Sequence, residues 1–193
     1  MNVIPLDIRE KTCTILGIKG SGKSNALRNF LVQEPNHMVW DPLREIPKTL
    51  QGVEMNMYYP QRKDDAEEFD ELLRKIAKYL PSVSLICADE MNQVAPSRQR
   101  LSRGVQAIAD FSRHMGVGVI FLSRRPVQLE TTLVELSEYL MVFRLTGKND
   151  YRWLEDTSKG LGDAVRELGP YEFMLVMPDR TYHHCAPLPL ITE

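Results

Sequence analysis

The chain has 193 residues, 43% of them hydrophobic and 26% charged, which is the composition of a globular protein long enough for one full core. Its formal net charge of −2 excludes a histone-like coat for nucleic acid but is compatible with a local basic surface. No apolar run approaches the roughly 18 to 20 residues of a membrane span, and no signal-peptide layout opens the chain. The cysteines Cys13, Cys87 and Cys185 form no C-x-x-C pair, which indicates a reducing compartment. We therefore expect a single domain over residues 1–193 of a soluble, cytoplasmic protein.

Short apolar runs alternate with segments of helical period in the first half of the chain. The run TCTILG at residues 12–17 is short, β-branched and closed by glycine, so it predicts a strand. Residues 23–32 then predict a helix, and residues 37–41 predict a second strand that ends before Pro42. The clearest helix covers residues 64–80, because its apolar side chains fall on one stripe at helical spacing. That stripe consists of Phe69, Leu72, Leu73, Ile76 and Leu80.

The second half of the chain continues this alternation and ends in a closing strand pair. Strands are predicted at residues 83–90, 117–123 and 139–145, and helices at residues 101–115, 149–157 and 161–168. In the first of these helices, four side chains are expected to point inward: Leu101, Val105, Ile108 and Met115. The last two apolar runs predict an antiparallel pair around Asp179. Alternation of this kind predicts an α/β fold with a mostly parallel sheet that helices cover on both faces.

A glycine-rich loop connects the first predicted strand to the first predicted helix. It reads GIKGSGKS and fits the phosphate-binding pattern G-x-x-x-x-G-K-[ST]. The glycines let backbone N–H groups turn toward phosphates, and the helix adds its positive N-terminal end. Lys23 would reach the β and γ phosphates of ATP, and the Ser24 hydroxyl would bind Mg²⁺. The predicted nucleotide-binding residues are Gly17, Ile18, Lys19, Gly20, Ser21, Gly22, Lys23, Ser24 and Asn25.

The strand predicted at residues 83–90 ends in two acidic residues, Asp89 and Glu90. A carboxylate at the end of a buried strand is placed to hold the Mg²⁺ shell, directly or through water, and this role falls to Asp89. Glu90 can polarise the attacking water as a general base. In the alternative interpretation, Asp89 caps the next element and Glu90 is merely exposed. Because the pair equips the site for water, it favours ATP hydrolysis over phosphoryl transfer to a small acceptor.

Further stretches carry a resemblance to a known superfamily. In chain order, ADEMNQVAPSR, SRHMGVGVIFLSRRP and YLMVFRLTGKNDYRWLE resemble the HerA/FtsK superfamily of ring-forming, DNA-pumping ATPases. The chain is most similar to the compact genome-packaging ATPases of membrane-containing, tailless double-stranded DNA viruses, over about residues 12–143. The resemblance implies a RecA-like P-loop NTPase fold of the ASCE type. It also makes Lys23 and Ser24 the Walker A residues and Asp89 and Glu90 the Walker B pair.

The expected sensor of the γ-phosphate departs from the family pattern. Members of the family usually show a glutamine at the end of the next strand, in a QRP-like sequence. Here the sequence SRRP places Arg124 where that glutamine is expected. Either Arg124 itself or the preceding Ser123 would then sense the phosphate.

A ring motor also needs an arginine finger from the neighbouring subunit to offset charge in the transition state. Arg113 is the first choice, because it is predicted at a helix end just before the sensor strand. Its rivals are Arg98, Arg100 and Arg103, which could instead contact the phosphate backbone of duplex DNA in the pore. No aromatic residues are interleaved with them, so base stacking on single strands is not supported. The simplest alternative for each arginine is a solvated surface charge.

The resemblance implies a homo-oligomeric ring, a hexamer or pentamer, that moves double-stranded DNA at the expense of ATP. Such a protein would package a viral genome in the host-cell cytoplasm, in association with a capsid vertex. One alternative is a cellular or plasmid DNA pump of the HerA type, whose relatives usually carry added domains. Another is a filamentous-phage assembly ATPase, which would be expected to carry a membrane segment. A more distant alternative is a small-molecule kinase or nucleotide-dependent switch.

Overall fold

Strands and helices alternate along residues 6–62 and 64–192, which are the part of the chain that the computed structural model describes. The strands are β1 (Thr12–Leu16), β2 (His37–Trp40), β3 (Thr49–Leu50), β4 (Val53–Glu54), β5 (Met57–Tyr58), β6 (Leu85–Ala88), β7 (Gly118–Ser123), β8 (Tyr139–Phe143), β9 (Phe173–Val176) and β10 (Tyr182–Cys185). The helices are α1 (Lys23–Gln33), α2 (Ala66–Tyr79), α3 (Met91–Val94), α4 (Arg103–Phe111), α5 (Thr131–Leu136), α6 (Lys148–Thr157) and α7 (Leu161–Arg166). Short 3₁₀ turns cover Ser112–Met115 and Pro126–Gln128.

One sheet contains all strands except the small antiparallel pair of β3 and β4. Its order is β10-β9-β8-β1-β7-β6-β2-β5, and the pairings from β8 to β5 are all parallel. At the other edge, β9 pairs antiparallel with β8, and β10 pairs antiparallel with β9. The predicted α/β fold, with its mostly parallel sheet and closing antiparallel pair, is confirmed.

Both faces of the central strands are buried, which explains why these strands are apolar without alternation. Every residue of β1, β6 and β7 is buried. On one face, α2 and α4 cover a cluster centred on Trp40, whose ring stacks on Tyr58 and meets the edge of Phe69. On the other face, α1 turns Phe30 and its apolar neighbours into a second cluster. The central strands are therefore enclosed, and the charged side chains that follow them lie at the strand ends.

Local sequence explains where α2 begins. The Asp65 carboxylate caps the helix by accepting hydrogen bonds from the N–H groups of Glu67 and Glu68. Two acidic residues in the first turn and Lys78 in the last turn complement the helix dipole. The apolar stripe then packs Phe69, Leu72, Leu73 and Ile76 into the core.

The predicted helices were too long at their C-terminal ends, and this error misplaced two side chains. Leu80 was predicted to be buried but is 41% exposed, because α2 ends at Tyr79 and Leu80 leaves helical geometry. Met115 was predicted to point inward but is 52% exposed. Its helix gives way to a 3₁₀ turn, whose tighter winding rotates later residues off the buried face.

The parallel arrangement brings three functional segments to one edge of the sheet. The strand β7 lies between β1 and β6, with Leu16 opposite Ser123 and Ala88 opposite Phe121. All three strands run in the same direction, so their carboxyl ends lie at the same edge. The glycine-rich loop after β1, the acidic pair after β6 and the arginines after β7 therefore converge there.

Candidate functional site

The glycine-rich loop is shaped by close contacts that a side chain would obstruct. Gly20 and Gly22 have φ values of 76° and 117°, in the left-handed region that glycine tolerates best. A Cβ atom on Gly22 would also lie 2.9 Å from Cε1 of Phe143, so the loop packs directly on that ring. Backbone hydrogen bonds hold the loop to the neighbouring strands, because Gly17 N donates to Ser123 O and Ile18 N donates to Arg144 O.

Lys23 is the first residue of α1 and folds back across the loop. Its Nζ donates a hydrogen bond to the carbonyl oxygen of Ile18 at 3.1 Å. Burial lowers the pKa of this ammonium group, while the nearby carboxylates of Asp89 and Glu90 oppose the shift. Lys23 therefore brings a partly buried positive charge to the mouth of the loop, where phosphate oxygens would complement it.

Ser21 and Ser24 offer hydroxyl groups in two different surroundings. The Ser21 Oγ is buried and has no hydrogen-bond partner in residues 6–62 and 64–192, so a polar ligand atom would relieve its desolvation. Ser24 is exposed in the first turn of α1. Both serines belong to the stretch that the sequence assigns to phosphate and Mg²⁺ binding.

Asp89 follows β6 directly, and its N–H donates to the carbonyl oxygen of Trp40 at 3.0 Å. Burial raises the pKa of Asp89 to about 6, although the Glu90 N–H, which donates to Oδ1 at 2.8 Å, acts in the opposite direction. The nearby carboxylates of Glu90 and Asp41 raise the pKa further. A cation at this position would favour the charged carboxylate, so the residue fits a magnesium ligand.

A magnesium ion in this site would be held by few protein groups. The described residues contain no cluster of three or more His, Cys, Asp or Glu side chains that could bind a metal. Magnesium in phosphate-transferring sites uses one or two protein oxygens together with phosphate oxygens and water. Asp89 and Ser24 supply hard oxygen ligands of that kind, so the donor set fits the ion.

Glu90 is held in an unusual position and is paired with an arginine. Its backbone lies in the left-handed region, with φ 49° and ψ 40°, which costs about 1 kcal/mol or more in a non-glycine residue. The residue is only 7% exposed. The Nε of Arg124 donates to Oε1 of Glu90 at 2.6 Å. The sequence interpretation of Glu90 as merely exposed is therefore wrong, and its carboxylate is neutralised by a partner that sequence reasoning did not anticipate.

The two consecutive arginines after β7 have different surroundings. Arg124 pairs with Glu90 at the site, whereas Arg125 donates through Nε to Oδ2 of the buried Asp150 at 2.9 Å. The Ser123 hydroxyl is buried and lies 3.2 Å from both the Asn92 Oδ1 and the Arg125 carbonyl oxygen. Of the two sensors that the sequence left open, Arg124 is the one whose side chain is directed to the acidic pair.

Of the remaining arginine candidates, three lie on the surface. Arg98, Arg100 and Arg103 are exposed, and none of their side chains makes a hydrogen bond or ion pair with the part of the chain that the structure describes. The backbone of Arg113 lies in the 3₁₀ turn after α4, as expected for a helix end before the sensor strand, but its side chain lies outside the described residues.

Sequence reasoning missed several residues around the site. Asp41 follows β2 and is fully buried, and its two carboxylate oxygens accept hydrogen bonds from the N–H groups of Glu45 and Ile46. It thereby shapes the loop beside Asp89. Phe143 and Tyr171 flank Gly22, but they lie far from the loop in sequence, and no local pattern connects them to it. A strand is predicted over residues 139–145, but no pattern in the sequence indicates that it lies beside the loop.

Within residues 6–62 and 64–192, no helix combines the length and the apolar character that crossing a bilayer would require.

Comparisons with known proteins were made by sequence and by structure. No protein-family model and no curated protein sequence matches the chain. The crystal structure of B204, the DNA-packaging ATPase from Sulfolobus turreted icosahedral virus, superimposes with a TM-score of 0.80 at 17% identity and covers 95% of this chain and 100% of that one. The genome-packaging NTPase B204 from Sulfolobus turreted icosahedral virus 2, in complex with ATPγS, gives a TM-score of 0.78 at 17% identity with the same coverage.

A bacterial structure also matches. The N-terminal domain of zonular occludens toxin from Neisseria meningitidis gives a TM-score of 0.53 at 18% identity and covers 93% of this chain and 86% of that domain. These identities are low, so the comparisons establish the fold. The predicted resemblance is confirmed at that level: the chain has the P-loop NTPase fold, and it shares this fold with the viral genome-packaging NTPase B204.

Proposed function

We propose that the protein is an ATPase that moves double-stranded DNA and packages a viral genome into a preformed capsid. The observation that carries the proposal is the convergence of the phosphate loop, the Asp89–Glu90 pair and Arg124 at one edge of the sheet. The likeness to B204, which is described as a DNA-packaging ATPase, supports the choice of DNA as the substrate that is moved.

The phosphate end of ATP would lie in the loop at Gly17 to Ser24. The N-terminal end of α1 and the free N–H groups of the loop would surround the phosphates, and Lys23 would leave the Ile18 carbonyl to reach the β and γ phosphates. Ser24 and Asp89 would hold Mg²⁺, which supplies neutralising charge to the phosphate oxygens when it is bound. The loop thus orients the γ-phosphate toward the carboxylates after β6.

Glu90 would act as the general base for the attacking water. It would accept a proton as the water oxygen bonds to the γ-phosphorus, while the bond between that phosphorus and the bridging oxygen of ADP breaks. In the described structure the Glu90 carboxylate is paired with Arg124 at 2.6 Å. A base engaged in this way is less able to accept a proton, so the ion pair must loosen before hydrolysis.

Arg124 is the residue that can link nucleotide binding to this loosening. Its side chain is 45% exposed, so it can move, and a γ-phosphate carries more negative charge than a carboxylate. We therefore assign Arg124 the sensor role: it would leave Glu90 for the γ-phosphate, and this exchange would free the base only when a triphosphate is present. Arg125 cannot substitute without abandoning the buried Asp150.

The ring and its DNA contacts rest on the remaining arginines. We assign Arg113 as the finger that reaches the neighbouring subunit's nucleotide, and Arg100 and Arg103 as contacts to the duplex backbone. In this assignment, Arg113→Ala abolishes hydrolysis while nucleotide binding and assembly persist. The double variant Arg100→Ala, Arg103→Ala loses affinity for duplex DNA and keeps its DNA-independent ATPase rate. Full activity in the first variant, or unchanged DNA affinity in the second, would remove the respective assignment.

The proposed function is tested by measuring the ATPase rate with and without long duplex DNA, together with particle size by light scattering. A DNA motor gives strong stimulation by duplex and a ring-sized particle. Stimulation by duplex but no association with capsid proteins would favour a DNA pump of the HerA type. A monomer that ignores DNA and phosphorylates a small acceptor would overturn the proposal.

A further inference from the structure

The backbone of Glu90 is strained, and its surroundings must hold it in place. Its φ of 49° and ψ of 40° lie in the left-handed region, which a residue with a side chain keeps only where neighbouring contacts fix it. On one side, Oδ1 of Asp89 accepts the Glu90 N–H at 2.8 Å. Within residues 6–62 and 64–192, Arg124 is the one hydrogen-bond partner of the Glu90 carboxylate.

The chain after Glu90 runs alongside the chain after β7, and backbone hydrogen bonds join the two. At 3.0 and 2.9 Å respectively, the donor and acceptor pairs are Glu130 N with Ala95 O and Ser97 N with Gln128 O. Both bonds lie beyond α3 from Glu90 along the chain. They therefore hold the far end of α3, and the end that carries Glu90 needs a contact of its own.

One side-chain contact joins the two stretches close to Glu90. The Ser123 hydroxyl donates to Oδ1 of Asn92 at 3.2 Å and also lies 3.2 Å from the carbonyl oxygen of Arg125. Ser123 is the last residue of β7 and is buried, so it is a fixed point of the central sheet. Asn92 is half-buried in α3, the helix whose N-cap is Glu90. The contact therefore ties the start of this helix to the sheet.

This contact becomes most important when Arg124 moves. In the proposed reaction Arg124 leaves Glu90 for the γ-phosphate, and the Glu90 carboxylate then loses its partner. The strained backbone would favour rotation of Glu90 out of the left-handed region, which would redirect its side chain. The contact between Ser123 and Asn92 does not use the Arg124 side chain, so it persists after that movement.

We propose that Ser123 and Asn92 are positioning residues for hydrolysis, which hold Glu90 in its strained conformation while the Glu90 carboxylate activates the water. The inference rests on the proposed function, since it takes Glu90 as the general base. It goes further by giving a role to Asn92 and by replacing the sensor role that the sequence left open for Ser123. Both residues act through Glu90 and not on the nucleotide.

The test measures kcat and KM for ATP in Ser123→Ala and Asn92→Ala, alone and combined. The same changes are then made in a Glu90→Gln background, where single-turnover assays resolve the slow hydrolysis that remains. Gln93→Ala is the matched control, because Gln93 is also half-buried in α3 and its side chain makes no hydrogen bond with the described part of the chain. Urea unfolding establishes that each variant is folded under the assay conditions.

Each single variant should lower kcat by about tenfold or more, because a displaced base reacts slowly. KM for ATP should stay within about threefold of the wild-type value, since the phosphate loop is unchanged. The double variant should lose no more than either single variant, because either change breaks the same contact. In the Glu90→Gln background, the added changes should alter the rate by less than about twofold, because no base is left to position. Gln93→Ala should behave as the wild type.

Three outcomes would contradict the inference. The first is a wild-type kcat in both single variants. The second is an equal loss of rate in the Glu90→Gln background, because the two residues would then act independently of Glu90. The third is a raised KM with an unchanged kcat, which would make Ser123 a contact to the nucleotide. Wild-type hydrolysis by Glu90→Gln alone would instead contradict the proposed role of Glu90, on which the inference rests.

Discussion

Two regions that meet at the glycine-rich loop are built on opposite principles, and we call them the phosphate side, after its proposed role, and the apolar side. The phosphate side consists of charged and polar groups, and Lys23, Asp89 and Glu90 act on one another there. The apolar side consists of the aromatic and aliphatic side chains around the cavity beside Gly22 and of residues 186–191, which Asn25 fastens to α1. Charge interactions dominate the first side, and apolar contact dominates the second.

The two sides also differ in how far apart their residues lie in the sequence. The phosphate side uses one continuous loop and the residues that directly follow β7, the strand next to β1, and β6, the strand beyond it. The apolar side joins residues from the start of α1 to Leu190. Substitutions on the phosphate side should therefore affect catalysis most.

The largest effect is expected for Glu90→Gln. The amide cannot accept the proton of the attacking water, so kcat should fall by about 10²–10⁴-fold while ATP still binds. Steady-state ATPase rates combined with ATP titration would measure this split. A variant that hydrolyses ATP at the wild-type rate would remove Glu90 as the base and leave the phosphate side as a binding site only.

The next effect is expected for Lys23→Ala, which removes the positive charge at the mouth of the loop. The ATPase kcat/KM should fall by about 10²–10³-fold, and binding of tripolyphosphate should be lost. A Lys23→Ala variant that binds tripolyphosphate as well as the wild type would contradict the assignment of Lys23 to the phosphates.

The arginine pair provides a matched comparison within the phosphate side. Arg124→Ala should lower kcat roughly tenfold or more, because the γ-phosphate loses its sensor. Arg125→Ala should instead lower the free energy of unfolding by about 2 kcal/mol, because it leaves the buried Asp150 carboxylate unpaired, a cost reduced here by the partial exposure of the arginine. Urea unfolding and ATPase assays on both variants measure the contrast. The assignment fails if the two variants exchange these effects.

The smallest effect is expected in the stability of Asp89→Asn without nucleotide or magnesium. The folded-state pKa of Asp89 is about 6 against 3.8 for the free side chain, so the cost of charging this carboxylate in the folded protein grows from about pH 4 and is complete above about pH 6. The variant should gain roughly 1–2 kcal/mol at pH 7, and this gain should shrink as the pH falls toward 4. Urea unfolding at pH 7 and at pH 4 measures this gain in the free energy of unfolding. The ATPase activity of the Asp89→Asn variant should fall. A gain that does not depend on pH would point to packing rather than charge.

Element types were predictable from the sequence wherever a long pattern existed. The stripe in α2 and the apolar runs of β1, β6 and β7 all correspond to elements in the structure. The strands β3, β4 and β5 are two residues long, too short for a periodic pattern. The ends of α2 and α4 were missed for a different reason: Leu80 and Met115 continue the apolar pattern although the helical backbone has already stopped.

Within the site, residues that are adjacent in sequence were predictable, and pairings between distant residues were not. The loop from Gly17 to Ser24 could be identified because each of its residues has a defined relation to the phosphates. The sequence SRRP could not show which arginine faces the site, since Glu90 and Asp150 lie 34 and 25 residues away from their partners.

The sequence by itself determined the alternation of strands and helices, the phosphate loop and the position of Asp89 and Glu90 at a strand end. These features depend on local periodicity and on residue types at fixed spacing. Both can be recognised in the sequence without knowledge of the tertiary fold. Only the tertiary structure decided that Arg124 pairs with Glu90, that Arg125 pairs with Asp150, and that residues 186–191 form one wall of a cavity beside Gly22. Those contacts depend on which strands become neighbours in the sheet and on how the last residues pack against α1, and no short stretch of sequence encodes that arrangement.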